Sequence, residues 1–216
     1  MNEKKIFIHV GLPKTGTTFL QKHFFPKLDL DYYGNELIKK TVNGKTLFSD
    51  ESFYGNFIYE RNAECILDNI KKLYPNANIL FVKRNKDKWL HSCYKQYLTN
   101  KKDKNSYISF NEYKSNVFID EALDFEYYLD MCNNRFKNVY ILEYVHLLKN
   151  EKRFFREICN ILDVEIPNYE NIKENISLKK YHYKFLFNID KFFPNMVVNF
   201  FDGFFRRING EKKTNR

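Results

Sequence analysis

The stretch Gly11-Leu12-Pro13-Lys14-Thr15-Gly16-Thr17-Thr18 combines the residue types needed to hold an anion. Two glycines let the backbone take φ > 0 and approach a ligand closely, and Lys14 brings a cation. A helix starting near Thr17 presents backbone N–H groups that have no partner inside the helix and sit at the positive end of its dipole. Phosphates and similar oxyanions bind at such places. Three further clusters carry matching chemistry: Ser49-Asp50-Glu51-Ser52 offers carboxylates for proton transfer, Lys83-Arg84 offers a guanidinium fork suited to phosphate, and Ser92 offers a hydroxyl eight residues beyond Arg84.

The elements that must position these residues are legible in outline. Ile6 to Val10 reads as a short buried strand, followed by a loop from Gly11 to Gly16 and a helix. Residues 27 to 46 are polar and turn-rich, and a second strand is expected at Thr46 to Phe48, ending in the acidic cluster. From Tyr59 to Tyr74, Ala63, Ile66, Ile70 and Leu73 recur at helical spacing up to Pro75. Asn78 to Val82 is a continuous apolar run, as in a central parallel strand. It stops at Lys83 and Arg84, and a helix carrying Trp89, Cys93 and Tyr97 follows, whose spacing marks packing rather than catalysis.

The KKDKN run at 101 to 105 reads as a solvated loop, and Ser109 with Glu112 as a capping box opening another helix. A helix through Leu123, Tyr127 and Met131, a strand at Val139 to Leu142, and a helix through Phe154, Ile158, Ile161 and Leu162 ending near Pro167 complete the pattern. Strands alternating with helices predict an α/β fold, a single three-layer domain with a largely parallel sheet and a P-loop-like loop after the first strand. Ligands in such sheets bind outside the carboxyl ends of the strands, which is where all three loop clusters fall.

Composition limits the alternatives. The chain has 216 residues, 44% hydrophobic and 18% aromatic, enough for one well-filled core. Cys65, Cys93, Cys132 and Cys159 show no ligand-like spacing, so reduced thiols are expected, with no disulfide framework or zinc site. His9 reads as a sheet residue, His23 and His91 as helix-surface residues, and His146 and His182 lie in no motif. No signal peptide or membrane span is visible, and the expected location is cytoplasmic. The net charge is +9, but residues 176 to 216 hold nine Lys/Arg against three Asp/Glu. The basic excess is therefore concentrated in the tail, and with no nucleic-acid-binding pattern present, no nucleic-acid partner is expected.

The Walker A pattern GxxxxGK[ST] places a lysine directly after the second glycine. Thr17 holds that position here, and Lys14 lies inside the loop. The best central strand ends in Lys83 and Arg84 rather than in an acid that could hold magnesium. Fixed cations and no metal are the expectation.

With these residues in place, GLPKTGTT after a first strand, Arg84 at a strand end, and Ser92 with Tyr94 beyond it resemble the PAPS-dependent sulfotransferases, particularly bacterial carbohydrate sulfotransferase-like proteins. The two motifs cover residues 6 to 21 and 79 to 97, with a looser similarity at 138 to 162. The resemblance implies transfer of a sulfuryl group from 3′-phosphoadenosine 5′-phosphosulfate (PAPS) to a hydroxyl, the expected acceptors being glycans or glycolipids. It implies that Pro13, Lys14, Thr15, Gly16, Thr17 and Thr18 hold the 5′-phosphosulfate, with Lys14 also assisting the transfer, and that Arg84 and Ser92 hold the 3′-phosphate. Glu51 is the candidate general base, with Asp50 as the near alternative.

Residues 1 to 175 are expected to form the sulfotransferase-like core, and 176 to 216 a helical, aromatic and basic segment packed on it with a disordered tip. That segment has three candidate uses: packing on the core or in a homodimer, peripheral contact with an inner membrane leaflet, or closure of the donor site. Two other functions compete with sulfuryl transfer, a P-loop nucleotide-dependent kinase and a non-catalytic nucleotide-binding protein of the same fold.

Overall fold

Ile6, Phe7, Ile8 and Val10 suit a strand covered on both faces. In the computed structural model β1 (Lys5–Val10) lies in the middle of a five-stranded sheet. The structure describes residues 5–34, 42, 44–55, 63–100, 108–117 and 123–168. The expectations for the 101–105 loop, for the helix start at 59–62 and for the segment 176–216 fall outside the described residues.

The other strands are β2 (Asp31–Gly34), β3 (Lys45–Asp50), β4 (Asn78–Lys83) and β5 (Asn138–Glu143). Their order is β2-β3-β1-β4-β5 and every pairing is parallel. Seven helices are present among the described residues: α1 (Thr17–Phe19), α2 (Ala63–Leu73), α3 (Lys86–Asn100), α4 (Phe110–Val117), α5 (Phe125–Asn133), α6 (Tyr144–Lys149) and α7 (Glu151–Leu162). Beyond α1 the helical path continues through π turns at Leu20–Phe24 and a 3-10 turn at Phe25–Lys27.

The chain divides into two compact units. In the larger, Met1–Trp89 with Phe118–Glu174, the sheet is covered on both faces. One face packs Phe7, Leu47, Leu80, Val82 and Leu142 against Phe19, Leu20, Phe24 and Phe25 and against Phe154, Phe155 and Ile158 of α7. Full burial of each such side chain is worth about 1.5–3 kcal/mol. The opposite face stacks Phe48 on Tyr74 and Phe81 on Tyr54 and Tyr128. In the smaller unit, the described residues 90–100 and 108–117 pack Tyr94 against Tyr97 and Tyr113. There Ser109 and Glu112 form the reciprocal capping box that opens α4, with Ser109 N–H donating to Glu112 Oε2 at 2.8 Å and Glu112 N–H to Ser109 Oγ at 3.2 Å.

Four sequence expectations are corrected. The turn-rich stretch 27 to 46 contains strand β2, a four-residue edge too short to show alternation. Helix α6 follows β5 without a break, because Glu143 ends the strand and serves as N-cap with no side-chain cap bond to signal it. The last described helix stops at Asp163, in the left-handed region at φ 56, well before Pro167. In α2 the buried residues are Ala63, Leu67 and Ile70, while Leu73 is 53% exposed, so the inward stripe is turned relative to the expected one.

Candidate active site

The loop after β1 is held by bonds made within it. Leu12 carbonyl accepts the hydroxyls of Thr15 at 2.6 Å and Thr17 at 3.0 Å, and both threonines are buried. Thr17 thus spends its hydroxyl proton inside the loop, and its backbone N–H, in the first turn of α1, is what it can offer a ligand. Thr18 is only partly buried. Lys14 and Gly16 both adopt left-handed backbone, at φ 65 and φ 84. The lack of a Cβ at Gly16 also avoids a close contact, because one would stand 2.7 Å from Leu147 Cδ2 of α6.

The rim of the loop next to β4 is anchored from outside. Trp89, completely buried on α3, donates its indole N–H to Pro13 O at 2.7 Å. Arg84 donates to Lys14 O, and its guanidinium lies over the Tyr144 ring with its carbon 4.5 Å from the ring centre. Lys83 turns to Glu126 instead, so Arg84 is the cation of that strand end that reaches the loop. The sequence motifs pointed to Arg84. They did not reveal Trp89 or Tyr144, whose contacts depend on how α3 and α6 pack in space.

On the other flank β3 ends against the loop, with Gly11 N–H donating to Asp50 O at 3.1 Å. Asp50 Oδ1 accepts the Ser52 N–H at 2.7 Å and so caps the 3-10 turn Glu51–Tyr54. Glu51 stands beside the loop, its Cγ 3.2 Å from where a Cβ on Gly11 would lie. Although Glu51 is exposed as a residue, loss of water around its carboxyl raises its pKa; the charge of Asp50 adds to the rise and that of Lys14 opposes it. Lys14 and Glu51 therefore sense each other electrostatically across the loop.

Beneath this flank lies a buried polar cluster. His9 Nδ1 and Ser49 Oγ are 2.7 Å apart, and Gln21, on the helical path after the loop, donates to Ser49 Oγ at 3.0 Å and Ser49 O at 3.2 Å. The Tyr32 hydroxyl donates to Gln21 O at 3.3 Å; burial pushes the phenol up to about 12, with its bond to Ser49 opposing. His9 is buried and neutral, its pKa pushed down to about 3 by desolvation, and its Nε2 has no hydrogen-bond partner. The cluster ties the helix after the loop to the strand that carries Asp50 and Glu51.

The structure thus brings Pro13, Lys14, Thr15, Gly16, Thr17, Thr18, Glu51 and Arg84 to the carboxyl ends of β1, β3 and β4 in the larger unit. Ser92 lies on α3 in the smaller unit, partly buried. No helix among the described residues is long and apolar enough to cross a membrane.

The sequence matches the Sulfotransferase family over residues 48–168, just over half of its 216 residues. The chain belongs to the sulfotransferase family. The matched stretch holds Glu51, Arg84 and Ser92 and begins after the Gly11–Gly16 loop, so loop and family match are independent observations. The fold of this sulfotransferase-family chain is similar to that of a sulfotransferase from Alicyclobacillus acidocaldarius, with a TM-score of 0.58 and 15% identity over 87% of this chain and 93% of the other. It is also similar to mouse sulfotransferase SULT7A1 complexed with PAP, with a TM-score of 0.52 and 18% identity over 78% of this chain and 61% of the other. No curated protein matches its sequence.

Proposed function

We propose that this protein transfers a sulfuryl group from PAPS to a hydroxyl of a carbohydrate acceptor. The observation that carries the reading is the arrangement of charge around the Gly11–Gly16 loop: Lys14 within it, the Arg84 guanidinium on its β4 side and the Glu51 carboxylate on its β3 side. The loop fits the phosphate end of the donor, because Gly16 provides left-handed backbone at the start of a helix and the threonine hydroxyls that would crowd the loop are turned inward onto Leu12 O.

The donor, when bound, supplies an activated sulfuryl group on a phosphate leaving group. Backbone N–H groups from Lys14 to Thr18 bind and orient that phosphate, and Lys14 neutralises charge that builds up on the leaving oxygen. Arg84, over the Tyr144 ring and bonded to Lys14 O, offers further N–H groups to an anion. Ser92 keeps the 3′-phosphate role that the motif resemblance assigns it. Glu51 takes the proton of the acceptor hydroxyl. Asp50 already caps a turn with its carboxylate, which favours Glu51 as the base. The resemblance to bacterial carbohydrate sulfotransferases is what supports a glycan acceptor.

Calorimetric titration tests the reading. Adenosine 3′,5′-bisphosphate (PAP) is expected to bind the wild type without magnesium and to bind Arg84→Ala and Ser92→Ala at least tenfold more weakly, given the worth of charge-assisted bonds to phosphate. Tight binding of ATP with magnesium and indifference to the 3′-phosphate would overturn it.

A further inference from the structure

Two consecutive carbonyls of the loop are held by side chains from the segment that follows β4, that of Pro13 by the Trp89 indole and that of Lys14 by Arg84. In a trans peptide the carbonyl of one residue and the N–H of the next point in opposite directions, and no described peptide is cis. Holding these carbonyls therefore turns the N–H groups of Lys14 and Thr15 away from the anchors. Successive N–H groups on backbone that includes left-handed residues, as at Lys14 and Gly16, form an anion-binding concavity. The direction of the indole N–H is itself set by packing: Trp89 is completely buried, edge-on to Phe125 at 5.3 Å between ring centres and 82° between planes.

We propose that Trp89 is a positioning residue for the anion loop, its indole N–H holding the Pro13 carbonyl so that the loop amides face the 5′-phosphate of the nucleotide. The proposal rests on the reading of the loop as a donor site and adds a residue to which the family resemblance assigns no binding role. Any buried indole N–H needs an acceptor, so packing alone would account for the bond. A positioning role differs in its consequence, because its loss weakens a ligand only through the 5′-phosphate.

Trp89 is the only tryptophan. Biosynthetic replacement of tryptophan by β-(3-benzothienyl)alanine therefore exchanges one N–H for sulfur at nearly constant shape. Calorimetry then compares PAP with adenosine 3′-phosphate, which lacks the 5′-phosphate. The expected result is roughly five- to tenfold weaker binding of PAP, the worth of one hydrogen bond, with adenosine 3′-phosphate unchanged. Trp89→Phe, checked for folding by circular dichroism, is expected to behave alike. Unchanged PAP affinity overturns the proposal, and so does parallel weakening of both ligands, which marks general loosening. If the wild type binds neither nucleotide, the donor-site reading itself falls and the proposal with it.

Discussion

His9 and Ser49 are register partners on the adjacent parallel strands β1 and β3, ring nitrogen to hydroxyl oxygen at 2.7 Å. Burial makes the imidazole sensitive to acid. Because the folded pKa of His9, about 3, lies below the ordinary value of 6.5, the unfolded chain binds the extra proton first. Stability is therefore full above about pH 6.5 and falls as pH drops toward 3, by at most about 1.4 kcal/mol per pH unit for one proton. Urea unfolding from pH 7.5 to 4 is expected to show this slope in the wild type and a shallower one in His9→Leu; parallel slopes would show that His9 is not the group responsible.

Gln21 bridges the helix after the loop to the strand end that carries the proposed base. Gln21→Leu removes two hydrogen bonds to Ser49 and is expected to cost about 1–2 kcal/mol of stability. Its effect on function falls on geometry between loop and base, so turnover drops while PAP affinity stays near wild type. A loss confined to PAP affinity would place Gln21 with the phosphate-holding groups instead.

Glu51→Gln removes the proposed base and is expected to lower turnover by ~10²–10⁴ with PAP affinity retained. In the wild type the acid limb of the pH–rate profile is expected above the ordinary glutamate value, since burial of the carboxyl and the charge of Asp50 raise the Glu51 pKa. Lys14 opposes that rise, so Lys14→Met is expected to move the limb higher still, while Asp50→Asn moves it lower. The same shift has a stability consequence of opposite sign to that of His9. A raised folded pKa favours the folded state at low pH, and that contribution is lost as pH rises through it. Glu51→Gln is thus expected to melt above wild type at pH 8 and level with it near pH 4, as differential scanning calorimetry can read.

Gly16→Ala is expected to destabilise by about 1–3 kcal/mol, because φ 84 is strained for any residue with a Cβ. Part of the cost is contact with Leu147 Cδ2, at the far end of a flexible side chain. A double-mutant cycle with Leu147→Ala should recover the contact part and leave the backbone part. Full recovery would show that φ contributes nothing.

The Gly11–Gly16 loop, the central strands and the cations at the end of β4 were legible because each is a local pattern: glycines at fixed spacing, an unbroken apolar run, a strand ending in Lys83-Arg84. The capping box at Ser109 was legible for the same reason. What escaped depends on neighbours distant in sequence. Trp89 reads as a packing residue until Pro13, seventy-six residues earlier, is seen at its indole nitrogen. His9 reads as a sheet residue, and it is one, but its bond to Ser49 and the reach of Gln21 follow from register between strands some forty residues apart. Helix α6 gives no local sign because no capping side chain marks its start.

The sheet order has a consequence for how a ligand must lie. The chain lays β2 and β3 to one side of β1, then crosses to lay β4 and β5 on the other. The loop above β1 is therefore bordered by two unlike banks, Asp50 and Glu51 on one and Arg84 on the other. Anionic charge above the loop is repelled by the carboxylates of the first bank and attracted by the guanidinium of the second, a bias toward β4 that the winding of the chain builds in before any acceptor arrives.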